Sequence, residues 1–337
     1  MDMKYRACPV PWQHMEVGCA HDVQLCCHIP TTVGNLARNS ALEAWNSPLA
    51  QQVRASIIDG SYRFCRRATC PILNQPEDKS PRHWTEDTLA LHSTHDPTRT
   101  ALGPLRISIA NERSCNLRCR SCRSDHYMRE PDEATRLVWD KIASDTPLLE
   151  NAEVIRASGS GELMHCPQLL VFIQRVLREH PHLRLELLSN LTTFGAEQLY
   201  AFGFQDRVKS VGGSIDAATA ETYARVRGGC FSAVMRNLKS LAAIKDDERF
   251  NLTMGFVVSA LNFREISHFA ALAASLDARA AFWRIQSWGH LPSSEFESLD
   301  VVDPRHPQHP ELLGVMRDPL LLSRHVWLCD LLRLTPG

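Results

Sequence analysis

The sequence lacks a long apolar run: no stretch of its 337 residues approaches the roughly 18 consecutive apolar residues of a transmembrane helix. It also lacks an excess of either charge, with 37 basic and 38 acidic residues, so no strong overall field attracts it to nucleic acid or an anionic membrane. The segment from Met1 to Tyr5 leads towards Cys8 without the apolar region of a secretory signal. These absences predict a cytoplasmic protein with neither a nucleic-acid nor a membrane partner.

Cysteine, in contrast, is abundant and unevenly placed. An apolar fraction of 44% supports a substantial core, and in a reducing compartment twelve cysteines indicate metal ligands or reactive thiols rather than disulfides. Six lie in the first 70 residues, three crowd into 115–122 and three stand alone: Cys8, Cys19, Cys26, Cys27, Cys65 and Cys70; Cys115, Cys119 and Cys122; Cys166, Cys230 and Cys329.

The chain divides by composition into four segments. Residues 1–72 form a small cysteine-bearing module, and 73–104 are a polar linker with several proline and histidine residues and no periodicity. Residues 105–290 alternate short apolar runs with longer helical patterns. Residues 291–337 contain a Pro/His-rich loop and a predicted helix over Pro310–Leu334.

The alternation in 105–290 predicts an α/β sheet of parallel strands with right-handed crossovers. The predicted strands are Leu105–Ala110, Val154–Ala157, Leu183–Leu188, Val208–Ile215, Leu252–Val258 and Ala281–Ile285. The helices between them include Gln168–Glu179, Phe231–Ile244 and Phe263–Leu276. Six units are too few to close an eight-stranded barrel, so we expect an open, curved sheet.

A loop with three cysteines follows the first of these strands. Cys115, Cys119 and Cys122 are spaced so that three thiolates can turn toward one centre. Cysteine thiolate is the usual ligand of a [4Fe–4S] cube, and three ligands leave one iron open to chelate an amine and a carboxylate. The alternative is a structural zinc site, which needs a fourth ligand such as His126.

The pattern Cys-x3-Cys-x2-Cys after the first strand of an incomplete α/β barrel resembles the radical S-adenosylmethionine (SAM) superfamily. The resemblance implies a partial (βα)6 barrel whose open iron binds the amino and carboxylate groups of SAM. One electron from the reduced cluster then cleaves SAM into methionine and a 5′-deoxyadenosyl radical. The family often has an aromatic residue before the last cysteine, near the adenine, and this sequence has Ser121 there.

Polar strand ends extend the resemblance. Ser160-Gly161-Glu162 stands where the family has Gly-Gly-Glu, which holds the SAM amino group, and glycine permits close backbone approach. An arginine in the stretch Tyr223–Gly229 can pair with the SAM carboxylate. The alternatives are a plain strand-to-helix turn and a solvated arginine. The SAM contacts implied by the resemblance are Ser160, Gly161, Glu162, Asn190, Ser214, Asp216, Arg227 and Val258.

Residues 8–71 resemble the SPASM/twitch modules of radical SAM enzymes, which hold auxiliary [4Fe–4S] clusters and are usually C-terminal. Four cysteines close one cube, and the set that the resemblance implies is Cys8, Cys65, Cys70 and one of Cys26 or Cys27. Side chains of adjacent residues diverge in extended backbone, so the last two rarely share one cluster. Cys19 has no assigned role, and the alternative is a zinc ribbon.

The resemblance implies an oxidoreductase that matures a natural product. The radical abstracts hydrogen from a peptide or a small precursor, the auxiliary cluster transfers electrons in an oxidation or cross-linking, and flavodoxin or ferredoxin supplies the reducing electron. An alternative is an epimerase that returns hydrogen from a thiol such as Cys230 or Cys329, with Cys166 also unassigned. A second alternative is a zinc-binding module without catalytic activity.

Overall fold

The structure is a computed structural model, and it describes residues 8–67, 70, 72–73, 96–122, 127–157, 160–245, 250–287 and 291–335. The fold is mixed α/β with parallel strands. The chain divides into two compact units. The first comprises Met1–Ser114 and Arg129–Leu185, and the second comprises Cys115–Met128 and Glu186–Gly337.

The first unit joins the cysteine-rich module to the first two strands of the predicted α/β segment. Its strands are β1 His14–Val17, β2 Asp22–Gln24, β3 Gly34–Asn35, β4 Arg106–Ile109 and β5 Val154–Ala157. They lie in the order β5-β4-β1-β2-β3. β1 pairs in parallel with β4, as β4 does with β5, whereas β1–β2 and β2–β3 are antiparallel. The register aligns Met15, Ile107 and Ile155, all fully buried, on one face.

Helices and their caps complete the first unit. They are Val10–Gln13, Ala41–Trp45, Pro48–Ile58, Glu133–Ala143, Thr146–Asn151 and Pro167–Glu179. Ser40 and Glu43 form a capping box at one helix start, and Asp132 caps another. In Pro167–Glu179, Leu169, Ile173 and Val176 recur at helical spacing and are buried, so one stripe faces the core.

The second unit holds the remaining strands. They are β6 Arg184–Ser189, whose first two residues belong to the first unit, β7 Val208–Ser214, β8 Asn251–Val258, β9 Arg279–Arg284 and β10 Val326–Trp327. Their order is β10-β9-β8-β7-β6, and the pairs from β7 to β10 are parallel. Phe256, Phe269 and Phe282 pack their rings against one another at centroid distances of 4.8–5.8 Å in the core.

Helices of the second unit follow its strands. They are Ala196–Ala201, Ala220–Val226, Phe231–Ile244, Ile266–Ser275, Ser293–Leu299 and His309–Val315, with 3-10 turns at Phe263–Glu265, Pro319–Leu322 and Cys329–Leu334. Among the described residues, every helix is too short or too polar to cross a bilayer.

The six predicted strands are confirmed to within two residues at each end. The single helix predicted over Pro310–Leu334 is wrong, because the chain there forms a short helix, two 3-10 turns and β10. Pro319 cannot continue a helix, and Asp318 caps a new turn by accepting a hydrogen bond from the Leu320 N–H. Most of the predicted linker over 73–104 lies outside the described residues, and the boundaries of the four predicted segments stay predictions.

Candidate metal centres

The three-cysteine loop follows β4 and is closed by its own backbone. The Cys115 N–H donates to the Tyr127 carbonyl at 2.7 Å, and the Cys122 N–H donates to the Cys119 carbonyl at 3.0 Å. Cys115 and Cys119 are buried with Leu117 between them, whereas Cys122 is exposed. His126, the predicted fourth ligand of a zinc site, lies outside the described residues.

Amide side chains hold this loop to the end of β6. Asn190 Nδ2 lies 2.9 Å from Asn116 Oδ1 and 3.9 Å from Cys115 Sγ. Asn116 in turn donates to the Thr192 hydroxyl at 2.9 Å. Leu191, between Asn190 and Thr192 just after β6, has φ 58°, in the left-handed region that a leucine adopts only when its surroundings enforce it. Asn190, predicted to contact SAM, is therefore placed beside the first cysteine.

Arg227 reaches the second cysteine. Its Nη1 lies 3.4 Å from Cys119 Sγ, and its Nε lies 2.8 Å from Asp216 Oδ2. Burial raises the pKa of the Cys119 thiol, and the positive charge of Arg227 opposes that shift. Burial likewise raises the pKa of Asp216, and the guanidinium opposes it. Two residues predicted to contact SAM thus form an ion pair with each other, next to a predicted cluster ligand.

Gly161 and Glu162 are packed against the segment that precedes the loop. A Cβ at Gly161 would lie 2.8 Å from the carbonyl oxygens of both Glu112 and Ser114, so this close approach requires glycine. The Glu162 N–H donates to the Ser114 carbonyl at 2.7 Å, and Glu162 is buried. The Glu112 carboxylate accepts from the Ser114 N–H at 2.5 Å. The predicted Gly-Glu element therefore lies beside the residue that precedes Cys115.

The remaining predicted SAM contacts occupy strand ends. Ser214 is the last residue of β7 and Val258 the last of β8, and Ser160 follows β5. In parallel sheets, ligands bind at the carboxyl ends of the strands. Their contact with SAM stays a prediction.

In the first unit, Cys8 and Cys65 pack against a cluster of Trp12, Ile57 and Tyr62. Burial, together with repulsion from Cys70 and Cys65, raises the pKa of Cys8 to about 12. Burial and then Cys70 raise the pKa of Cys65 to about 11. Cys8 and Cys65 thus both lie within electrostatic range of Cys70.

The adjacent residues Cys26 and Cys27 differ in exposure and in the groups beside their sulfur atoms. Cys26 is half-buried, accepts a hydrogen bond from the His28 N–H at 3.4 Å and repels Cys8. Cys27 is exposed and lies beside His28 and His14. The hydrogen bond between the two thiols raises the pKa of Cys26 and lowers that of Cys27. Of the two, Cys26 is the neighbour of Cys8.

The unassigned thiols differ in exposure and acidity. Cys230 is exposed, and a hydrogen bond with Ser232 lowers its pKa. Cys329 and Cys166 are buried, and burial raises the pKa of both, that of Cys166 to about 12. Cys19 is exposed, and its Sγ lies 3.6 Å from the Ala110 carbonyl after β4.

The donor chemistry at the two cysteine groups fits iron–sulfur clusters. The candidate metal-ligating atoms are thiol sulfurs, the usual cluster ligands. N–H groups lie near the sulfur atoms of Cys26, Cys115 and Cys119. All twelve cysteines belong to the described residues and are thiols rather than disulfides. Within the described ranges, no three His, Cys, Asp or Glu side chains are placed to hold a single metal ion.

Comparison with known proteins identifies the N-terminal segment. Residues 8–71 match the family model of SPASM, an iron–sulfur cluster-binding domain. These residues contain all of the cysteines assigned to the auxiliary cluster. No curated protein sequence matches the chain.

Solved structures resemble parts of the chain at low identity. One is anSMEcpe with bound AdoMet, with 18% identity, TM-score 0.41 and coverage of 55% of this chain and 52% of that one. Another is Streptococcus suis SuiB bound to precursor peptide SuiA, with 11% identity, TM-score 0.42 and coverage of 63% and 45%. The chain thus spans about half the length of these two proteins. The match over 8–71 confirms the predicted resemblance of this segment to the SPASM iron–sulfur modules.

Proposed function

We propose that this protein is a radical SAM enzyme with an auxiliary [4Fe–4S] cluster. The observation that carries the proposal is the three-cysteine loop, in which Cys115 and Cys119 are buried and have the side-chain N–H groups of Asn190 and Arg227 near their sulfur atoms. Buried thiolates need such partners. The strands β4 to β9 are proposed to form the partial (βα)6 barrel that the resemblance implies.

In this proposal Cys115, Cys119 and Cys122 hold the SAM-binding cluster. When bound together, the cluster and SAM supply the 5′-deoxyadenosyl radical that abstracts a substrate hydrogen. The chain's own residues hold and shield these groups. Leu117 forms a buried cluster with Cys115 and Cys119, and we propose that it shields their sulfur atoms from water. The buried carboxylate of Glu162 is proposed to accept hydrogen bonds from the SAM amino group.

Cys8, Cys26, Cys65 and Cys70 are the proposed ligands of the auxiliary cluster, with Cys26 preferred to Cys27 because it is the neighbour of Cys8. Four protein ligands leave no iron open, so this cluster is suited to electron transfer rather than to binding SAM. Its surroundings are apolar, since Trp12 and Tyr62 pack beside Cys8 and Cys65. Burial of this kind is one of the factors that set a cluster's potential.

The proposed substrate is a peptide or a small natural-product precursor, converted by oxidation or cross-linking in the cytoplasm, with flavodoxin or ferredoxin as electron donor. An epimerase is the second candidate, because the raised pKa of buried Cys329 keeps it in the protonated form that can return a hydrogen atom. Exposed Cys230, with its lowered pKa, suits that role less.

Reductive cleavage of SAM tests the proposal without the substrate. Reconstituted protein reduced with dithionite should release 5′-deoxyadenosine. The variant with Cys115, Cys119 and Cys122 replaced by alanine should release none, whereas the Cys65→Ala, Cys70→Ala variant should retain release. Glu162→Ala should weaken SAM binding with the iron content unchanged. Absence of 5′-deoxyadenosine from iron-loaded wild-type protein would contradict the proposal.

A further inference from the structure

Arg227 and Asp216 form a buried ion pair that reaches one cysteine of the loop. The two side chains are 12% and 3% exposed, and the Nε–Oδ2 distance is 2.8 Å. A surface ion pair contributes little, but a buried one needs further partners to offset desolvation. Here the second partner of the guanidinium is Cys119 Sγ, 3.4 Å from Nη1.

The backbone at Asp216 is held in an unusual conformation. Its φ is 60°, a region that residues other than glycine occupy at a cost of roughly 1–3 kcal/mol. Its Oδ1 accepts from the Val257 N–H at 2.7 Å, and its carbonyl accepts from Asn262 Nδ2 at 2.9 Å. Asn262 also donates to the Val257 carbonyl at 2.9 Å. The carboxylate is thus fixed between β7 and β8, with Oδ2 directed at Arg227.

Arg227 is equally constrained at its own end. It follows the helix Ala220–Val226, and its N–H donates to the Tyr223 carbonyl at 2.8 Å. Gly228, with φ 74°, turns the chain immediately afterwards, and the Arg120 N–H of the cysteine loop donates to the Val226 carbonyl at 3.2 Å. The guanidinium is therefore anchored to the loop on one side and to Asp216 on the other.

We propose that Asp216 and Arg227 are positioning residues that set the reduction potential of the SAM-binding cluster through Cys119, with Asp216 aiming the guanidinium at the sulfur. This inference rests on the proposed function. Hydrogen bonds to the sulfurs and net charge are among the factors that set a cluster's potential. A reduced cluster carries one more negative charge than an oxidised one, so a fixed cation beside its ligand favours reduction. Arg227 thereby makes the one-electron reduction that precedes SAM cleavage easier.

Two roles for Asp216 differ in the direction in which its removal shifts the reduction potential. If the carboxylate acted only through its own negative charge, its removal would make the cluster easier to reduce. If it positions Arg227, its removal releases the guanidinium from Cys119 and makes reduction harder. Since the two roles predict shifts of opposite sign, one substitution distinguishes them.

The test is a potentiometric titration of the reconstituted full-length protein, followed by the electron paramagnetic resonance signal of the reduced cluster that changes when SAM is added. Arg227→Gln should shift the midpoint potential to a more negative value with iron content unchanged. Asp216→Asn should shift it in the same direction. Arg227→Lys should lie between Arg227→Gln and wild type, because an ammonium group keeps the charge but lacks the fork that spans both partners.

Arg225→Gln is the matched control. Arg225 lies two residues before Arg227, in the last turn of the helix Ala220–Val226, is exposed and donates to the Leu261 carbonyl at 2.7 Å, so its loss should leave the potential unchanged. A wild-type potential in Arg227→Gln would overturn the inference, as would a more positive potential in Asp216→Asn. If Arg227→Gln fails to load iron, Arg227→Lys provides the test: a midpoint potential more negative than that of wild type supports the inference, and a wild-type potential overturns it. A wild-type protein without a SAM-responsive signal would instead overturn the proposed function.

Discussion

The two groups of cysteines differ in which hydrogen-bond donors lie near their sulfur atoms: main-chain amides in one group and side chains in the other. In the first unit the donors are main-chain amides, from Val10 to Cys8 and from His28 to Cys26. In the three-cysteine loop they are side chains, from Asn190 to Cys115 and from Arg227 to Cys119. Main-chain amides are set by the local fold and carry no net charge, whereas a guanidinium adds a charge that one substitution removes.

That difference matches the two tasks proposed for the clusters. A fully ligated electron carrier needs a fixed, apolar surrounding, which Trp12 and Tyr62 help to provide. A cluster with an open iron must be reduced before SAM is cleaved, and the side chains near its proposed ligands are polar and charged, namely Asn190 and Arg227. The groups around the sulfur atoms therefore indicate the role of a cysteine group more specifically than the spacing of its cysteines in the sequence does.

Substitution of Cys26 and Cys27 in turn is expected to have the largest effect. Cys26→Ser should remove the auxiliary cluster, about four of eight iron atoms, because Cys26 is the neighbour of Cys8. Cys27→Ser, the matched control at the exposed neighbour, should keep all of them. Iron and acid-labile sulfide analysis decides. Loss of iron in Cys27→Ser alone would reverse the assignment, and loss in neither would remove the pair from the cluster.

Removal of Arg54 should produce the next largest effect, on the stability of the module. This fully buried side chain donates to the carbonyls of Pro11, Thr98 and Trp45 at 2.9–3.0 Å and lies 4.5 Å from the Trp45 ring centroid. Arg54→Met leaves those acceptors unpaired and should lower the free energy of unfolding by about 3 kcal/mol or more.

Arg63→Met is the control for that experiment. Arg63 belongs to the same module but forms an exposed ion pair with Asp59, which contributes roughly 0–1 kcal/mol. Both variants are measured by denaturant unfolding of the holoprotein. Equal losses in the two variants would show that the buried network does not stabilise the module.

A smaller effect is expected at Gly161. A Cβ there would lie 2.8 Å from two backbone oxygens, so Gly161→Ala should cost about 1–3 kcal/mol and weaken SAM binding by displacing Glu162. Gly314→Ala adds the same methyl group where no atom lies within 4 Å, and its helical position should make it neutral or slightly stabilising. Thermal unfolding and SAM titration compare the two variants, and unchanged values in Gly161→Ala would contradict the close approach.

The smallest expected effect concerns the thiols outside the clusters. Cys230 is exposed with a pKa lowered by its hydrogen bond with Ser232, whereas burial raises the pKa of Cys329. The thiolate is the reactive form. At pH 8, below the ordinary thiol pKa of 9.0, the holoprotein should therefore react with iodoacetamide at least about ten-fold faster at Cys230. As the pH is raised, the rate at Cys230 should also reach its plateau at a lower pH than the rate at Cys329. Mass spectrometry measures both sites, and equal rates would refute this ranking.

The strands and the cysteine loop were predictable from the sequence, because strand periodicity and ligand spacing are local properties. The pairing of β1 with β4 was not, since His14–Val17 gives a short pattern whose partner lies about ninety residues away. The Arg227–Cys119 contact depends on a helix end meeting a loop more than a hundred residues distant. Asp216 was predicted as a polar strand end, but its left-handed conformation was not, because that conformation arises from contacts with Val257 and Asn262.

The most direct test of two iron–sulfur clusters in this chain is the metal and sulfide content of anaerobically reconstituted protein. Wild-type protein should hold about eight iron atoms and as many acid-labile sulfides, four per cube. Replacement of Cys115, Cys119 and Cys122 by alanine should leave about four, and the Cys65→Ala, Cys70→Ala variant should also leave about four. A colourless wild-type protein with stoichiometric zinc and no sulfide would contradict the account.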